Sequence, residues 1–442
     1  MLSSNARLRT LLGAVVLAGL LGLTTVTAQA QVPDKSQNPA GKSSSTQLDP
    51  IHPQQTLLDI HNMTTWVRND GFFPWEDPTS HVNGTFPKGS AAGTVFAQGI
   101  LWGGKVRDGG SRLIRVNGST YNNGLDPGPV LGNDPDESGS IRPAPLGNLQ
   151  DYHVWRVRPD WRTMDYTTSA SQYFGVGPSS VTDAQRQQIR DQYEYDWNNW
   201  PAHLGAPYED VNGDGDYDPD TDIPGRPGAD QTIWLVANDL RQGTSERSYG
   251  SPAIGVEYQL TIWGYEFPSS APLGNIHFAE AEIIYTGTQN TPDDARIDSM
   301  FVTQWVDPDV GSFGDDYAGS DTTLSLGYAY NSSNSDDVYD ALGSPPPAIG
   351  WDFLQGPVNT EGDTLGMTSF VYFAAGSDLS DPDLSEYQGT LQWYNLMRGV
   401  KPRPAYPQDE PFVNPITERE SKFTLPGDPV TGSGWVDGLQ LP

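Results

Sequence analysis

Val256-Glu257-Tyr258-Gln259-Leu260-Thr261-Ile262 alternates apolar and polar side chains without a break. Successive side chains of a β-strand point to opposite faces, so a period of two predicts a strand with one face on a core. A largely apolar run at 231–237 precedes it and is predicted to be a central strand. Further strands are predicted after it at 275–285, 298–306, 323–330 and 367–373. Their spacing favours antiparallel connections, and we expect an antiparallel β-sandwich or jelly roll over residues 231–442.

Residues 57–180 are predicted to form an N-terminal β-rich region. Its strand candidates are 94–102, 112–116 and 152–158. Gly103 and Gly104 can end the first candidate, and the second runs into Asn117-Gly118, a dipeptide typical of hairpin turns. The fold class expected for the chain is therefore mainly β.

One short helix is predicted within residues 181–230. Thr182 and Gln185 fit a capping box, and apolar residues recur at every fourth position from Ile189 to Trp197. Pro201 ends the helix, because proline cannot donate the next helical hydrogen bond. Prolines and glycines at 224–228 disfavour a second helix, so a helix-loop-helix calcium motif is not expected.

An Asp-rich loop, DVNGDGDYDPDTD at 210–222, follows the helix. Oxygen-bearing side chains fall at every second position, and Gly215 is the sixth residue, where a calcium-binding loop turns sharply. Asp216 would contribute its backbone carbonyl, and Tyr217 would pack towards the fold. The pattern predicts a Ca²⁺ site that stabilises the connection between the two β regions, with the ligands Asp210, Asn212, Asp214, Asp216, Asp218, Asp220 and Asp222.

The twelfth position departs from the calcium-loop pattern. It usually holds a bidentate acid, and here it is Thr221. Either Asp220 or Asp222 takes that place through a shifted turn at Pro219, or the site binds calcium more weakly than a sensor loop. A solvated acidic turn is the alternative, since Asp and Gly are ordinary turn residues.

A second acidic cluster follows the strand predicted at 298–306. Its spacing matches no standard calcium loop, so an ion site and a polar turn remain alternatives. The cluster comprises Asp307, Asp309, Asp315, Asp316 and Asp321.

Residues 1–30 are predicted to be a secretory signal peptide. Arg7 and Arg9 precede an apolar run at 11–23, and Ala28-Gln29-Ala30 is a small-x-small cleavage site. The run is too short to span a membrane comfortably, and no later segment is apolar enough to do so. We expect a secreted or surface-attached chain, cleaved near Ala30, whose polar residues 31–56 form a flexible linker.

The chain of 442 residues carries 56 acidic and 25 basic residues, a net charge of −31. This charge disfavours nucleic acid and anionic membranes as partners. Cation binding, solubility in salt and contact with a basic partner all remain open. The chain has no cysteine, which excludes disulfides, thiolate metal sites and cysteine nucleophiles.

No catalytic motif stands out in the sequence. The six histidines are scattered, without a zinc-binding HExxH or a GxSxG elbow, and no phosphate-binding or dinucleotide-binding loop is present. Pairs of acids near aromatic residues would suit a glycosidase, but an acidic chain contains many such pairs by chance. Sugar-stacking candidates, each more often a core aromatic, are Trp102, Trp155, Trp161, Trp263 and Trp351.

Three runs carry a resemblance to a group of known proteins: YGSPAIG at 249–255, QWVDPDVG at 304–311 and GWDFLQGP at 350–357. Together with the Asp-rich loop and the segment 224–231 behind it, they resemble large secreted and cell-surface proteins of Bacteroidota-like bacteria. Such proteins often end in a type IX secretion sorting domain, which is not seen in this sequence. The loop itself is similar to EF-hand and dockerin calcium loops.

The function expected from the sequence is that of an exported, non-enzymatic, calcium-binding protein with a structural or adhesive role. Its partners would be calcium and other surface proteins, further copies of the chain or a polysaccharide. A secreted carbohydrate-active enzyme or carbohydrate-binding module is the alternative.

Overall fold

The computed structural model describes residues 7–17, 54–77, 81–132, 140–145, 152–268, 271–359, 361–373, 379–383, 385–403 and 410–438. The strands are β1 (Arg7–Leu17), β2 (Gln55–Leu58), β3 (Thr65–Arg68), β4 (Val95–Arg107), β5 (Ile114–Gly118), β6 (Asp126–Pro127), β7 (Val130–Leu131), β8 (Arg142–Pro143), β9 (Trp155–Val157), β10 (Tyr208–Glu209), β11 (Ile223–Pro224), β12 (Gln231–Asn238), β13 (Val256–Gly264), β14 (Ile276–Tyr285), β15 (Arg296–Pro308), β16 (Asp316–Asp321), β17 (Leu326–Asn331), β18 (Ala348–Gln355), β19 (Phe412–Val413) and β20 (Glu420–Ser421). The α-helices are α1 (Thr167–Tyr173), α2 (Asp183–Asn198), α3 (Gln242–Tyr249), α4 (Asp337–Ala341) and α5 (Tyr387–Met397).

The larger sheet has nine strands within the described residues, in the order β16-β17-β18-β1-β14-β13-β12-β6, and β9 also pairs with β12. Its neighbours pair antiparallel. The strands β12–β14 and β16–β18 are each consecutive in the chain, which is the order of a meander. The prediction of a mainly β, antiparallel fold is confirmed.

A second sheet of order β15-β4-β5 shares its core with the larger one. The shared cluster joins β4 residues such as Trp102 to Leu235 of β12, Leu260 of β13 and Ala281 of β14, all buried. Two sheets that bury one common core between them form two layers, an arrangement compatible with a β-sandwich. Since β4 pairs with β15 and β9 with β12, the regions 57–180 and 231–442 meet in both sheets.

The alternating stretch at 256–262 lies in β13, as predicted. Tyr258, Leu260 and Ile262 are in the shared core. The intervening Gln259 reaches the opposite face, where its Nε2 donates to the Leu204 carbonyl at 2.8 Å. The strands predicted at 231–237, 275–285 and 298–306 are likewise confirmed as β12, β14 and β15.

The prediction that Gly103 and Gly104 end a strand is wrong. β4 continues through both glycines to Arg107. A Cβ on Gly103 would lie 2.7 Å from Val116 Cγ2, and one on Gly104 would lie 2.5 Å from Ile297 Cγ2. The glycines therefore permit the close approach of β5 and β15 on either side of β4.

The prediction of a hairpin turn at Asn117-Gly118 is also wrong. Both residues belong to β5 and pair with Trp102 and Leu101 of β4. The Asn117 side chain is fully buried and donates to Asp239 Oδ2 at 3.2 Å. Gly118 has a φ of 130°, and a Cβ there would lie 2.1 Å from the Ile100 carbonyl oxygen. Asn117 and Gly118 are therefore required by close packing within the sheet, and they do not form a turn.

Helix α2 confirms the predicted helix and its capping box. Thr182 Oγ1 accepts from the Gln185 N–H, and the Gln185 side chain accepts from the Thr182 N–H. The apolar face buries Ile189, Tyr193 and Trp197. The sequence analysis did not find α1, α3, α4 or α5. Helix α5 is buried on several sides, so it lacks the polar face that makes a helical period visible.

Two predictions in the second half of the chain need correction. Residues 367–373 form no strand and pair at one point only, a parallel bridge between Phe370 and Phe423. The strand predicted at 323–330 begins at Leu326, because Asp321 accepts from the backbone N–H groups of Thr323 and Leu324 in a turn. Strand β16 was missed; its Gly319, which signals a turn in the sequence, lies against the ring of Tyr328.

The segment Arg7–Leu17, within the predicted signal peptide, forms β1 between β14 and β18. The predicted cleavage site at Ala30 and the linker as far as residue 53 lie outside the described residues. None of the helices in the described part of the chain is long and apolar enough to cross a membrane.

Candidate metal centre

The Asp-rich loop is held at its base by a short antiparallel ladder. Tyr208 of β10 pairs with Pro224 of β11, and Glu209 pairs with Ile223. Beyond the ladder, the Gly225 N–H donates to the Pro207 carbonyl at 2.9 Å. Backbone hydrogen bonds therefore bring the two ends of residues 210–222 together.

Asp210 organises the first part of the loop. Its Oδ1 accepts from the Gly213 N–H at 2.7 Å, and its Oδ2 accepts from the Gly215 N–H at 2.9 Å. Gly213 and Gly215 have φ values of 76° and 87°, which L-residues with a Cβ rarely adopt. The first and sixth positions are thus linked, and the chain turns sharply at Gly215 as the sequence pattern predicts.

Asp222 closes the other end. It is 2% exposed, and its Oδ1 accepts from the Val211 N–H at 3.0 Å while its Oδ2 accepts from the Asp218 N–H at 2.8 Å. The neighbouring Thr221 is exposed, with its hydroxyl 3.4 Å from Asp218 Oδ2. Of the two acids considered for the twelfth position, Asp222 and not Asp220 joins the two ends of the loop.

The remaining side chains of the loop form successive turns. In three of them, Oδ1 accepts a hydrogen bond from the backbone N–H of the residue two positions later, at 2.9–3.0 Å. They are Asn212, Asp214 and Asp218, and like Asp216 and Asp220 they lie near or at the solvent-exposed surface.

The charges of the loop converge on Tyr208. Burial raises the pKa of this phenol, and the carboxylates of Asp210, Asp222, Asp214 and Asp216 raise that pKa further. The negative field of the loop is therefore felt at the Tyr208 hydroxyl at its base. All the predicted ligands offer oxygen, which is the donor atom that calcium prefers. In the described parts of the chain, no group of three or more His, Cys, Asp or Glu side chains is arranged to hold a metal ion; the carboxylates face backbone N–H groups of their own loop.

Aromatic residues attach the loop to the fold. The Tyr217 hydroxyl donates to the Trp197 carbonyl at the end of α2 at 2.5 Å, and Trp197 Nε1 donates to the Pro219 carbonyl at 3.0 Å. The rings of Tyr208 and Tyr217 meet edge to face at 5.5 Å. Both pack on the cluster that contains Trp155 of β9 and Trp234 of β12. The loop therefore connects the end of α2 to one face of the larger sheet.

The second acidic cluster is centred on Asp316, at the start of β16. Asp316 Oδ2 accepts from the Val310 N–H at 2.8 Å, and its Oδ1 is buried without a hydrogen-bond partner among the described residues. Burial raises the pKa of Asp316 to about 8, and the charges of Asp309, Asp315 and Asp336 add to this effect. Asp336, the N-cap of α4, was not found in the sequence analysis. Asp321 lies at the opposite end of β16.

Replacement of Asp316 by Asn is expected to stabilise the protein in alkaline solution. The raised pKa means that the folded protein keeps a proton on Asp316 that the unfolded chain releases. The free energy of unfolding therefore falls as the pH rises from 3.8 to about 8, and the full loss is present above pH 8. Asn keeps an acceptor for Val310 and carries no charge, so differential scanning calorimetry should show a melting temperature about 3 °C higher near pH 8.5 and little change near pH 4. Asp294→Asn, at an exposed site, is the matched control. A lower melting temperature for Asp316→Asn near pH 8.5 would contradict this account.

The five candidate tryptophans for sugar stacking are core residues. Their exposed fractions range from 0% for Trp102 to 8% for Trp155. A sugar ring needs an exposed aromatic face, so these residues cannot provide one in this structure. All five therefore agree with the core-aromatic alternative that the sequence analysis favoured for Trp102, Trp155, Trp161, Trp263 and Trp351, and the structure gives no support to sugar stacking at them.

A buried histidine pair was missed because its members are far apart in the sequence. The rings of His61 and His277 stack with centroids 5.6 Å apart, and the residues are 1% and 4% exposed. His61 Nε2 and His277 Nδ1 have no hydrogen-bond partner among the described residues. Burial lowers the pKa of His277 to about 4. Burial, His277 and Lys88 also lower the pKa of His61 well below its usual value.

Comparison of the chain with protein-family profiles, with curated proteins and with solved structures gave no match.

Proposed function

We propose that the chain is an exported protein with a structural or adhesive role at the cell surface or outside the cell, stabilised by Ca²⁺ in the loop at 210–222. The observation that supports this most is the link from Asp210 to Gly213 and Gly215, closed at the other end by Asp222. These bonds form the sharp turn at Gly215 that a calcium-binding loop requires. The proposal includes membership of the group of secreted bacterial proteins that the sequence resembles.

Calcium would act by fixing the position of the loop between α2 and the larger sheet. The ligands would be Asp210, Asn212, Asp214, Asp218 and Asp222 through their side chains and Asp216 through its carbonyl, with Asp220 at the exposed rim. The cation would neutralise carboxylates that otherwise repel one another. Because only the folded loop collects these oxygens, bound calcium would add about 2.7 kcal/mol to the free energy of unfolding at a hundredfold excess over the dissociation constant.

Isothermal titration with Ca²⁺ should show saturable binding at this loop. Asp210→Asn is expected to weaken that binding by about tenfold or more, because it removes a charge from the first ligand position. Asp293→Asn, an exposed acid far along the chain, is expected to leave the isotherm unchanged. Absence of heat at millimolar calcium, or equal binding by Asp210→Asn, would refute the calcium site.

Export is tested separately from calcium. N-terminal sequencing of the protein from the culture medium or cell surface should give a chain that begins at Gln31. Recovery of the chain inside the cell with residues 1–30 attached would refute the export proposal and leave the calcium titration unaffected.

A further inference from the structure

Strand β1 is the link between two parts of the larger sheet. Nine of its positions pair with β14, and six pair with β18. Within the described residues, β1 lies between β14 and β18 in the larger sheet, and these two strands do not pair with each other directly. We name the space that β1 occupies between β14 and β18 the strand slot. Removal of residues 1–30, as proposed above, would leave the slot with two unpaired edges.

The core side of the slot is apolar. The positions of β14 that face the core there are Ala279, Ala281 and Ile283, each no more than 2% exposed. Across the slot, β18 offers Ile349 and Trp351 to a second core cluster. An occupant therefore needs apolar residues at alternate positions, in register with these side chains.

The other side of the slot carries two glutamates of β14 between the apolar Phe278 and Ile284. Glu280 and Glu282 of β14 lie on the face away from the core, and Glu282 is at the level of Arg9 in the ladder. Glu280 forms an ion pair with Arg226 at 2.9 Å. Since Glu280 is already paired with Arg226 and the chain has a net charge of −31, a strand with a basic residue at the level of Glu282 is favoured over an acidic or neutral one.

We propose that the strand slot of the exported chain is a docking site for an extended segment of a partner protein. The segment carries mostly apolar residues at the levels of the core-facing positions, and it carries a basic residue at the level of Glu282. It runs antiparallel to both β14 and β18, so its backbone completes two ladders at once. This is strand addition inside a sheet, where an occupant gains hydrogen bonds on both edges. The inference rests on the proposed removal of residues 1–30.

The first experiment uses the chain that begins at Gln31, made by cell-free translation, and a fluorescent peptide of the sequence RLRTLLGAVVL, which is that of Arg7–Leu17. Fluorescence anisotropy should show saturable one-to-one binding. A peptide with Leu12→Pro should bind about a hundredfold more weakly, because proline removes a ladder donor and clashes within a strand. Equal binding of both peptides would overturn the proposal.

A double-mutant cycle tests the charge at the level of Glu282. Glu282→Gln in the protein and Arg9→Gln in the peptide should each weaken binding by about fivefold, and together by little more than either alone. Asp293→Gln, at an exposed acid outside β14 and β18, is the protein control. Additive effects in the cycle would overturn the assignment of a basic residue to this level.

A second measurement covers the case in which the chain from Gln31 does not fold. The full chain, with a protease site inserted after Ala30, is cut after folding. The released fragment should stay bound on size exclusion and should exchange for the labelled peptide. Loss of the fragment from a sheet that stays folded, without uptake of the peptide, would overturn the proposal.

The geometry of the slot can be probed because the chain has no native cysteine. Phe278 and Asp352 both pair with Gly13, so they lie two strand spacings apart, about 9–10 Å. A disulfide cannot bridge that distance. Phe278→Cys/Asp352→Cys should therefore remain reduced while the peptide is bound; rapid disulfide formation at saturating peptide would contradict a strand between them. All these assays use recombinant chains, so their failure is distinct from a failure of the export proposal, which N-terminal sequencing decides.

Discussion

Replacement of Asp239 by Asn is expected to lower the free energy of unfolding by about 3 kcal/mol. Asp239 directly follows β12, and its carboxylate is fully buried. Its Oδ1 accepts from the Gly255 and Val256 N–H groups at 2.9 and 2.7 Å, and its Oδ2 accepts from the Ile254 N–H at 3.1 Å. Asn would turn an NH₂ group towards at least one of these donors, so a buried N–H would lose its acceptor.

Urea denaturation measures this loss, with Asp293→Asn as the exposed control. Asp239 also accepts from Asn117, so the change affects β5 as well as the start of β13. Burial raises the pKa of Asp239, and the hydrogen bonds from Val256, Ile254 and Gly255 oppose that rise. A loss below 1 kcal/mol, similar to an ordinary surface substitution, would show that these bonds contribute little.

The protein is expected to lose stability in acid because of the His61–His277 pair. Burial lowers the pKa of His277 from 6.5 to about 4. The unfolded chain therefore binds a proton between these values that the folded chain does not, and stability falls as the pH falls. For His277 alone the difference corresponds to about 3 kcal/mol, present in full above pH 6.5 and absent below pH 4.

His277→Gln should reduce this dependence, because the amide does not titrate. The free energy of unfolding, measured by urea at several pH values from about 7.5 to 4, should fall less steeply in the variant than in the wild type. His203→Gln, at an exposed histidine, should retain the wild-type slope. Asp316 contributes the opposite slope in this range, so the difference between variant and wild type, not the wild-type curve, is the quantity to compare. Equal slopes for wild type and His277→Gln would refute the role of the pair.

The strands with an alternating or continuous apolar pattern were predictable from the sequence. The period at 256–262 follows from burial of one face of β13, which the sequence records directly. The errors arose where glycine or asparagine serves close packing. In the sequence, Gly103, Gly118 and Gly319 suggest turns. In the structure, each lies so close to a neighbouring strand or aromatic ring that a Cβ would clash with it. Only the packed sheets reveal that use.

The Asp-rich loop was predictable because all its parts are local. Its turn at Gly215 and the inward packing of Tyr217 follow from the pattern of its thirteen residues, whereas the partner of Tyr217, Trp197, lies outside them. The choice between Asp220 and Asp222 as the acid that closes the loop could not be predicted, because it depends on the pairing of β10 with β11. The histidine pair joins His61 to a residue on β14, and no spacing rule connects groups so distant in sequence.

Strand β4 contributes to the apolar clusters on both sides of the strand slot. Val95, at its start, packs with Ile349 and Trp351 of β18, while Trp102 packs with residues of β12–β14. The second sheet therefore fixes the distance and the relative direction of the two edges. A strand that enters the slot would lose its own conformational freedom, while contacts with β4 would limit the freedom that the two edges have left to lose. In entropic terms, the layer across the core would prepare the larger sheet for an incoming strand once residues 1–30 are removed.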